Sequence, residues 1–266
     1  MKITETIQQR RSVRTYTGKP IDNETIENIK NYIAGLKAPF EAECRIELIQ
    51  ADTGNKPAKL GTYGFIKGAS DYIVLIIKEA PLAEEGAAYV FEQVILYCTS
   101  LGLGTCWLGG SINKSSFKKH LVLNPDEKLR IVSPVGYASD KRHTSLLSIM
   151  SSSAPKPRKP FAVNFFHTQF GIPLTEDMAG DYAHPLRMVR IAPSANNKQS
   201  WRVVMDNHAL HFYKSFSFGF DSIDMGIALC HFEQTCIESG IAGHFEVLKN
   251  APTGKKATYV ISWITN

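Results

Sequence analysis

Leu101-Gly-Leu-Gly-Thr-Cys-Trp-Leu-Gly-Gly110 places four glycines in ten residues, with Leu103, Trp107 and Leu108 between them. Glycine adopts positive φ freely and lets a backbone approach a flat ligand closely. Gly102 and Gly104 begin the spacing of a dinucleotide-binding loop, but Trp107 stands where its third glycine belongs, and the segment follows helical rather than strand periodicity. The Rossmann reading is therefore rejected. Two readings stay open: a helix C-terminus followed by a tight turn, and a turn shaped for a ligand.

Upstream, Val90, Phe91, Val94, Ile95, Cys98 and Leu101 recur at helical spacing, so the glycines are expected to end a helix. Before it, Cys44–Gln50 and Asp71–Lys78 are β-branched runs, the second apolar almost throughout, as a strand covered on both faces would be. Residues 22–36 carry Ile26, Ile29, Ile33 and Leu36 on one helical face, with Gly35 near the end. Residues 129–137 read as a further strand in which Pro134 favours an edge or a bulge. Ser151-Ser-Ser-Ala-Pro-Lys-Pro-Arg-Lys-Pro160 then breaks the periodicity and reads as a solvated, extended connector, although its basic tract 156–159 would also suit an acidic partner. Beyond it a shorter succession follows: a helix over 175–190, strands at 201–205 and 209–213, a helix with Met225, Leu229, Phe232 and Cys236 on one face, and a strand at 257–265. Leu101-Gly-Leu-Gly-Thr-Cys-Trp107 aligns with Ser239-Gly-Ile-Ala-Gly-His-Phe245, each directly after an amphipathic helix. The expected organisation is α+β: one unit over 1–150, a crossover over 151–174 and a second unit over 175–266.

Bulk properties narrow the function classes. With 266 residues, 44% apolar, the chain can bury a large core, and its longest dense apolar run is far short of the roughly 20 residues a membrane helix needs. The N-terminus is polar, so no export signal is expected. Five cysteines without a Cys-x-x-Cys pair point to a reducing, cytoplasmic setting; Cys230, His231 and Cys236 are expected to be core residues rather than metal ligands. A net charge of +5 suits a phosphorylated ligand and does not call for nucleic acid.

Gln9-Arg-Arg-Ser-Val-Arg14 gathers three guanidinium groups and a hydroxyl, which suit a phosphate but also an exposed basic helix end. Pro193-Ser-Ala-Asn-Asn-Lys-Gln-Ser-Trp201 offers amides that both donate and accept, as the edge of a flavin ring requires, though such residues are common in any loop before a strand.

Taken together, Arg10-Arg-Ser-Val-Arg14 with Tyr16, the glycine segment 101–110 and the Pro-Ser-x-x-Asn-x-Gln segment ending at Trp201 resemble the motifs of the FMN-dependent nitroreductase family. The resemblance implies a nitroreductase-like fold and one FMN, with hydride passing from NADH or NADPH to a nitroaromatic, quinone or related small-molecule acceptor by a ping-pong mechanism. In an ordinary member each subunit carries all three motifs and FMN lies in a homodimer interface. Here they are divided: the first half lacks the Pro-Ser motif, and the second lacks the arginine motif. The resemblance therefore implies the fused, duplicated branch, an intramolecular pseudo-dimer with one composite site, monomeric or paired again as a homodimer. It assigns Arg10, Arg11 and Ser12 to the FMN phosphate, and Arg14 to the ribityl chain or pyrimidine edge. Leu108, Gly109 and Gly110 would line the ring and offer an N–H near its N5. Pro193, Ser194, Ala195, Asn197 and Gln199 would approach from the other half. Lys141 and Arg142 are further phosphate candidates, with Tyr63 and Gly64 beside the ring. A flavin-binding protein without turnover is the alternative.

Overall fold

The computed structural model describes residues 1–50, 61–139, 157–206, 209–215, 219–254 and 256–265. The chain forms two compact units, Gln9–Pro155 and Met1–Gln8 together with Lys156–Asn266. Among the described residues no helix is long and apolar enough to cross a membrane. Lys141 and Arg142, expected above as phosphate contacts, lie outside the described residues.

Helix α1 (Ile3–Gln9) opens the chain. The unit Gln9–Pro155 then contains α2 (Asn23–Gly35), β1 (Cys44–Gln50), β2 (Asp71–Lys78), α3 (Ala83–Ser100), β3 (Gly104–Thr105), α4 (Lys114–Lys118) and β4 (Glu127–Gly136). Its antiparallel sheet runs β1-β2-β4-β3. β2 is buried along its whole length up to Lys78, as its unbroken apolar run requires of a central strand. Tyr72, Val74 and Ile76 on one face pack in a core with Val13, Tyr16, Cys106 and Leu108, so two of the motif segments are fixed onto the sheet.

Asp22 starts α2 by accepting from Thr25 N–H at 2.8 Å. The glycines end α3 in a Schellman cap: Gly102 N–H donates to Thr99 O at 3.0 Å and Leu103 N–H to Cys98 O at 2.9 Å, with Gly102 at φ +76°. Pro134 is not at an edge, nor at the register shift, which lies at Leu75/Ile76; it pairs with Tyr72 between β2 and β3. It is tolerated because the β3 side is interrupted there, and Cys106 N–H donates instead to Ser133 Oγ at 3.0 Å. Arg45 on β1 grips Glu127 through Nε and Nη2 at 2.8 and 2.9 Å, and with Asn124 N–H these bonds hold the carboxyl at about 2. A depressed carboxyl stabilises the fold above its unfolded value of roughly 4.3 and ceases to as pH falls towards 2. Glu127→Gln is expected to flatten the decline of the unfolding midpoint between those limits, read by thermal melts across pH.

In the other unit, α5 (Phe161–Asn164) leads into β5 (Phe165–His167), followed by α6 (Glu176–Ala179), α7 (Ala183–Ile191), β6 (Trp201–Met205), β7 (Ala209–Lys214), α8 (Asp221–Glu238), β8 (Gly243–Glu246) and β9 (Thr258–Thr265). The single helix expected over 175–190 is broken at Gly180, whose φ of +53° separates α6 from a 3-10 turn and α7. The sheet order is β5-β6-β7-β9-β8, with β5 parallel to β6 and the other pairs antiparallel. Without β5 this is the order of the first sheet. The 18-residue α8, like the 18-residue α3, ends in a Schellman cap, here with Ile241 N–H on Cys236 O at 2.9 Å. Glu238, the last residue of α8, accepts from Ile3 N–H at 2.5 Å and Thr4 Oγ1 at 2.6 Å, capping the start of α1.

Candidate functional site

The arginine motif leaves α1 as an extended segment held on both sides. Ser12 bridges Thr105 in parallel and Val13 N–H donates to Thr105 O at 2.8 Å. Tyr16 N–H donates to Lys67 O at 2.8 Å, and Lys67 N–H to Arg14 O at 2.9 Å. The segment lies that close to β3 because residue 104 is glycine: a Cβ there would stand 2.7 Å from Val13 Cγ2. Arg10, Ser12 and Arg14 converge on Cys106. Burial raises the thiol pKa, while the two guanidinium charges and the Ser12 hydroxyl oppose the rise without cancelling it. The Nε and Nη1 atoms of Arg10 are buried and, among the described residues, have no hydrogen-bond partner. Arg11 is exposed.

Tyr63 and Gly64 form the tip of a turn closed by Phe65 N–H on Thr62 O at 2.9 Å, with φ of +46° and +77°, and Tyr63 is 60% exposed. That turn feeds residue 67, which pairs with the arginine segment, so the structure gathers three of the predicted segments in one unit. Leu108 departs from its expected role: its side chain is buried in the core and its N–H donates to Val132 O at 2.9 Å. Gly109 and Gly110, nearer the surface, are left as the amides this turn can present. Trp107 is anchored from α3, its Nε1 donating to the fully buried Glu92 at 2.8 Å and its ring packing edge-on against Phe91. Glu92 went unnoticed in the sequence, although a carboxylate on the apolar face of α3 was the available signal.

In the other unit the Pro-Ser segment is a strained loop. Asn196, Asn197 and Gln199 have φ of +52°, +57° and +49°. Pro193 is buried, Ala195 N–H donates to Asp224 Oδ1 at 2.8 Å, and Ser200 Oγ to Asp224 Oδ2 at 2.9 Å. Ser194 Oγ accepts from Gln199 N–H at 2.9 Å. Gln199, 1% exposed, accepts from Lys159 N–H at 2.7 Å and donates to Asn197 O at 3.1 Å. Asn197 Oδ1 accepts from Arg158 Nη1 at 2.5 Å, and Arg158 Nη2 donates to Ile191 O at 2.8 Å. The connector is thus not a solvated strand at its described end: Arg158 and Lys159 are partly buried and pin this loop. Asp224→Ala strands one buried and one partly buried donor and is expected to lower stability by about 2–4 kcal/mol, measured by chemical denaturation.

Ser262, His211 and Asp206 line up in the manner of a hydrolytic triad, His211 Nδ1 lying 2.7 Å from Ser262 Oγ and Nε2 2.9 Å from Asp206 Oδ2. Ser262 is fully buried and its hydroxyl also bonds Tyr259 OH at 2.7 Å, so the array ties β7 to β9. Cys230, His231 and Cys236 are fully buried as well, with His231 Nδ1 3.0 Å from Met188 O.

The family model described as "Putative TM nitroreductase" matches residues 2–236. A structure from Thermotoga maritima described as a "putative nitroreductase" aligns over 100% of this chain and 94% of its own, with a TM-score of 0.64 at 20% identity, a likeness of fold. Shorter matches include a Desulfovibrio desulfuricans protein solved in complex with FMN (23% identity, 58% of this chain and 98% of that one, TM-score 0.43). Another is a Bacteroides fragilis nitroreductase with bound FMN (19% identity, 55% and 92%, TM-score 0.43). No curated protein matches the chain.

Proposed function

This chain belongs to the nitroreductase family, and from that premise we propose that it is an FMN-dependent oxidoreductase binding one FMN per chain. The observation that carries the reading is Arg10, whose two buried guanidinium nitrogens, unpartnered among the described residues, fit an anionic oxygen cluster such as the FMN phosphate, while Ser12 in the same segment offers its hydroxyl. Arg10 and Ser12 hold that phosphate. Arg14, fixed through its carbonyl to Lys67 N–H, keeps a positive charge for the ribityl chain or pyrimidine edge. Gly109 and Gly110 present backbone amides to the ring, and Ser194 and Asn197 are further contacts by the family resemblance. When bound, FMN supplies the hydride chemistry, taking hydride from NADH or NADPH and passing it to a nitroaromatic, quinone or related acceptor in ping-pong order.

The shared strand order, the paired helix caps and the division of the motifs support an origin in two unequal copies of one unit. Flavin stoichiometry tests this reading. One FMN per chain is expected; two would overturn the division of motifs, and none would remove the cofactor assignment. The engagement of the Asn197 and Gln199 amides by Arg158 and Lys159 favours, as a second reading, a flavin-binding protein without turnover. Anaerobic mixing with NADH and NADPH separates the two: bleaching of the bound flavin is expected, and flavin that stays oxidised with both donors would establish the second.

A further inference from the structure

The end of the connector and the start of β6 bring together two cations, Lys159 and Arg202. Lys159 Nζ donates to Lys198 O at 2.7 Å and to Gln199 O at 3.4 Å. Arg202 Nη1 donates to the same Gln199 O at 3.0 Å and to Trp201 O at 2.6 Å. The two charges share one carbonyl oxygen and so lie closer together than those two bonds laid end to end. Both are partly buried, and among the described residues neither has a carboxylate within 4 Å. Burial, with the charges of Arg202 and Lys198, lowers the Lys159 pKa from the usual ammonium value, and burial lowers that of Arg202. Asp224, the acid bonded to this loop, already accepts from Ala195 and Ser200.

Adjacent like charges in a partly desolvated setting destabilise the fold unless an anion joins them. Among the described residues the carbonyls engage only Nη1 of Arg202, leaving the Nε and Nη2 side of the fork, whose geometry matches two oxygens of a tetrahedral oxyanion; Lys159 adds a point charge. The geometry points to a phosphate-monoester site formed by Lys159 and Arg202, built from residues that the flavin assignment does not use. Two sources share that chemistry: free phosphate and the 2′-phosphate of NADPH.

The test titrates flavin-loaded protein with inorganic phosphate at constant ionic strength, following the thermal midpoint and phosphorus line width, with chloride as the control. A saturable stabilisation by phosphate is expected, and Lys159→Gln and Arg202→Gln, which keep a donor for the Gln199 carbonyl, should each weaken it about tenfold. Adenosine 2′,5′-bisphosphate binding more tightly than adenosine 5′-monophosphate would identify the NADPH phosphate, and parity would identify free phosphate. Parallel loss of FMN affinity in both variants would overturn the inference of a site separate from the flavin. The inference is overturned if phosphate does no more than chloride to the wild-type protein, or if folded variants keep wild-type phosphate affinity. The wild-type titration decides the matter even where a variant fails to fold. A protein that lacked flavin yet bound phosphate would separate this inference from the flavin reading.

Discussion

Arg10→Ala is expected to weaken FMN binding by roughly 10- to 100-fold, because a charge-assisted hydrogen bond contributes about 1.5–3 kcal/mol and the guanidinium fork makes more than one. The same substitution should leave the flavin-free protein as stable or slightly more stable. Its Nε and Nη1 atoms are buried without partners among the described residues, and removing an unsatisfied polar group relieves a desolvation cost. Opposite signs in the two states separate a ligand-binding arginine from a structural one. Arg11→Ala is the control: its side chain is exposed, and FMN affinity should change little. Quenching of flavin fluorescence gives the affinities, and thermal melts of both forms give the stabilities. Equal destabilisation of the flavin-free and flavin-loaded proteins would count against the assignment.

The second large effect is expected at Gly104. An alanine Cβ would lie 2.7 Å from Val13 Cγ2 and 2.8 Å from Val13 Cβ, contacts too short for a packed side chain, so β3 and the arginine segment must separate. Overpacking of this kind costs about 1–3 kcal/mol. Because Val13 sits between Ser12 and Arg14, FMN affinity should fall together with stability. Val13→Ala added to Gly104→Ala removes both γ-methyls and should recover part of each loss. Denaturation and flavin titration of the four proteins of this cycle measure the coupling.

Where a residue's role depends on its own neighbours in sequence, the role was legible. The unbroken apolar run 71–78 needs burial on both faces and lies inside the sheet, and the glycine after Leu101 ends α3 as its periodicity requires. Roles set by distant partners were not legible. Glu238 caps a helix 234 positions away, and Asp224 serves a loop 29 positions before it; nothing near either carboxylate in the chain announces its donors. Pro134 misled because the rule that keeps proline off central strands assumes a continuous neighbour, and β3 is interrupted where that proline sits. Arg158 and Lys159 misled for a related reason. Proline and serine around them describe the local chain, whereas amide and carbonyl oxygens at 197–199 and 191 determine where those cations go.

The clasp between Glu238 and α1 also bears on biosynthesis. Thr4 leaves the ribosome 234 residues ahead of the carboxylate that caps it, an interval of roughly 10–50 s at about 5–20 residues per second. Through that interval the first helix, too short to be stable alone, has no partner for its free N–H groups. Closing so long a loop belongs to the slow, non-local class of folding steps. The arginine segment begins where α1 ends, so flavin capture is expected to follow the emergence of α8, and cofactor supplied before that point should give no advantage over cofactor added afterwards.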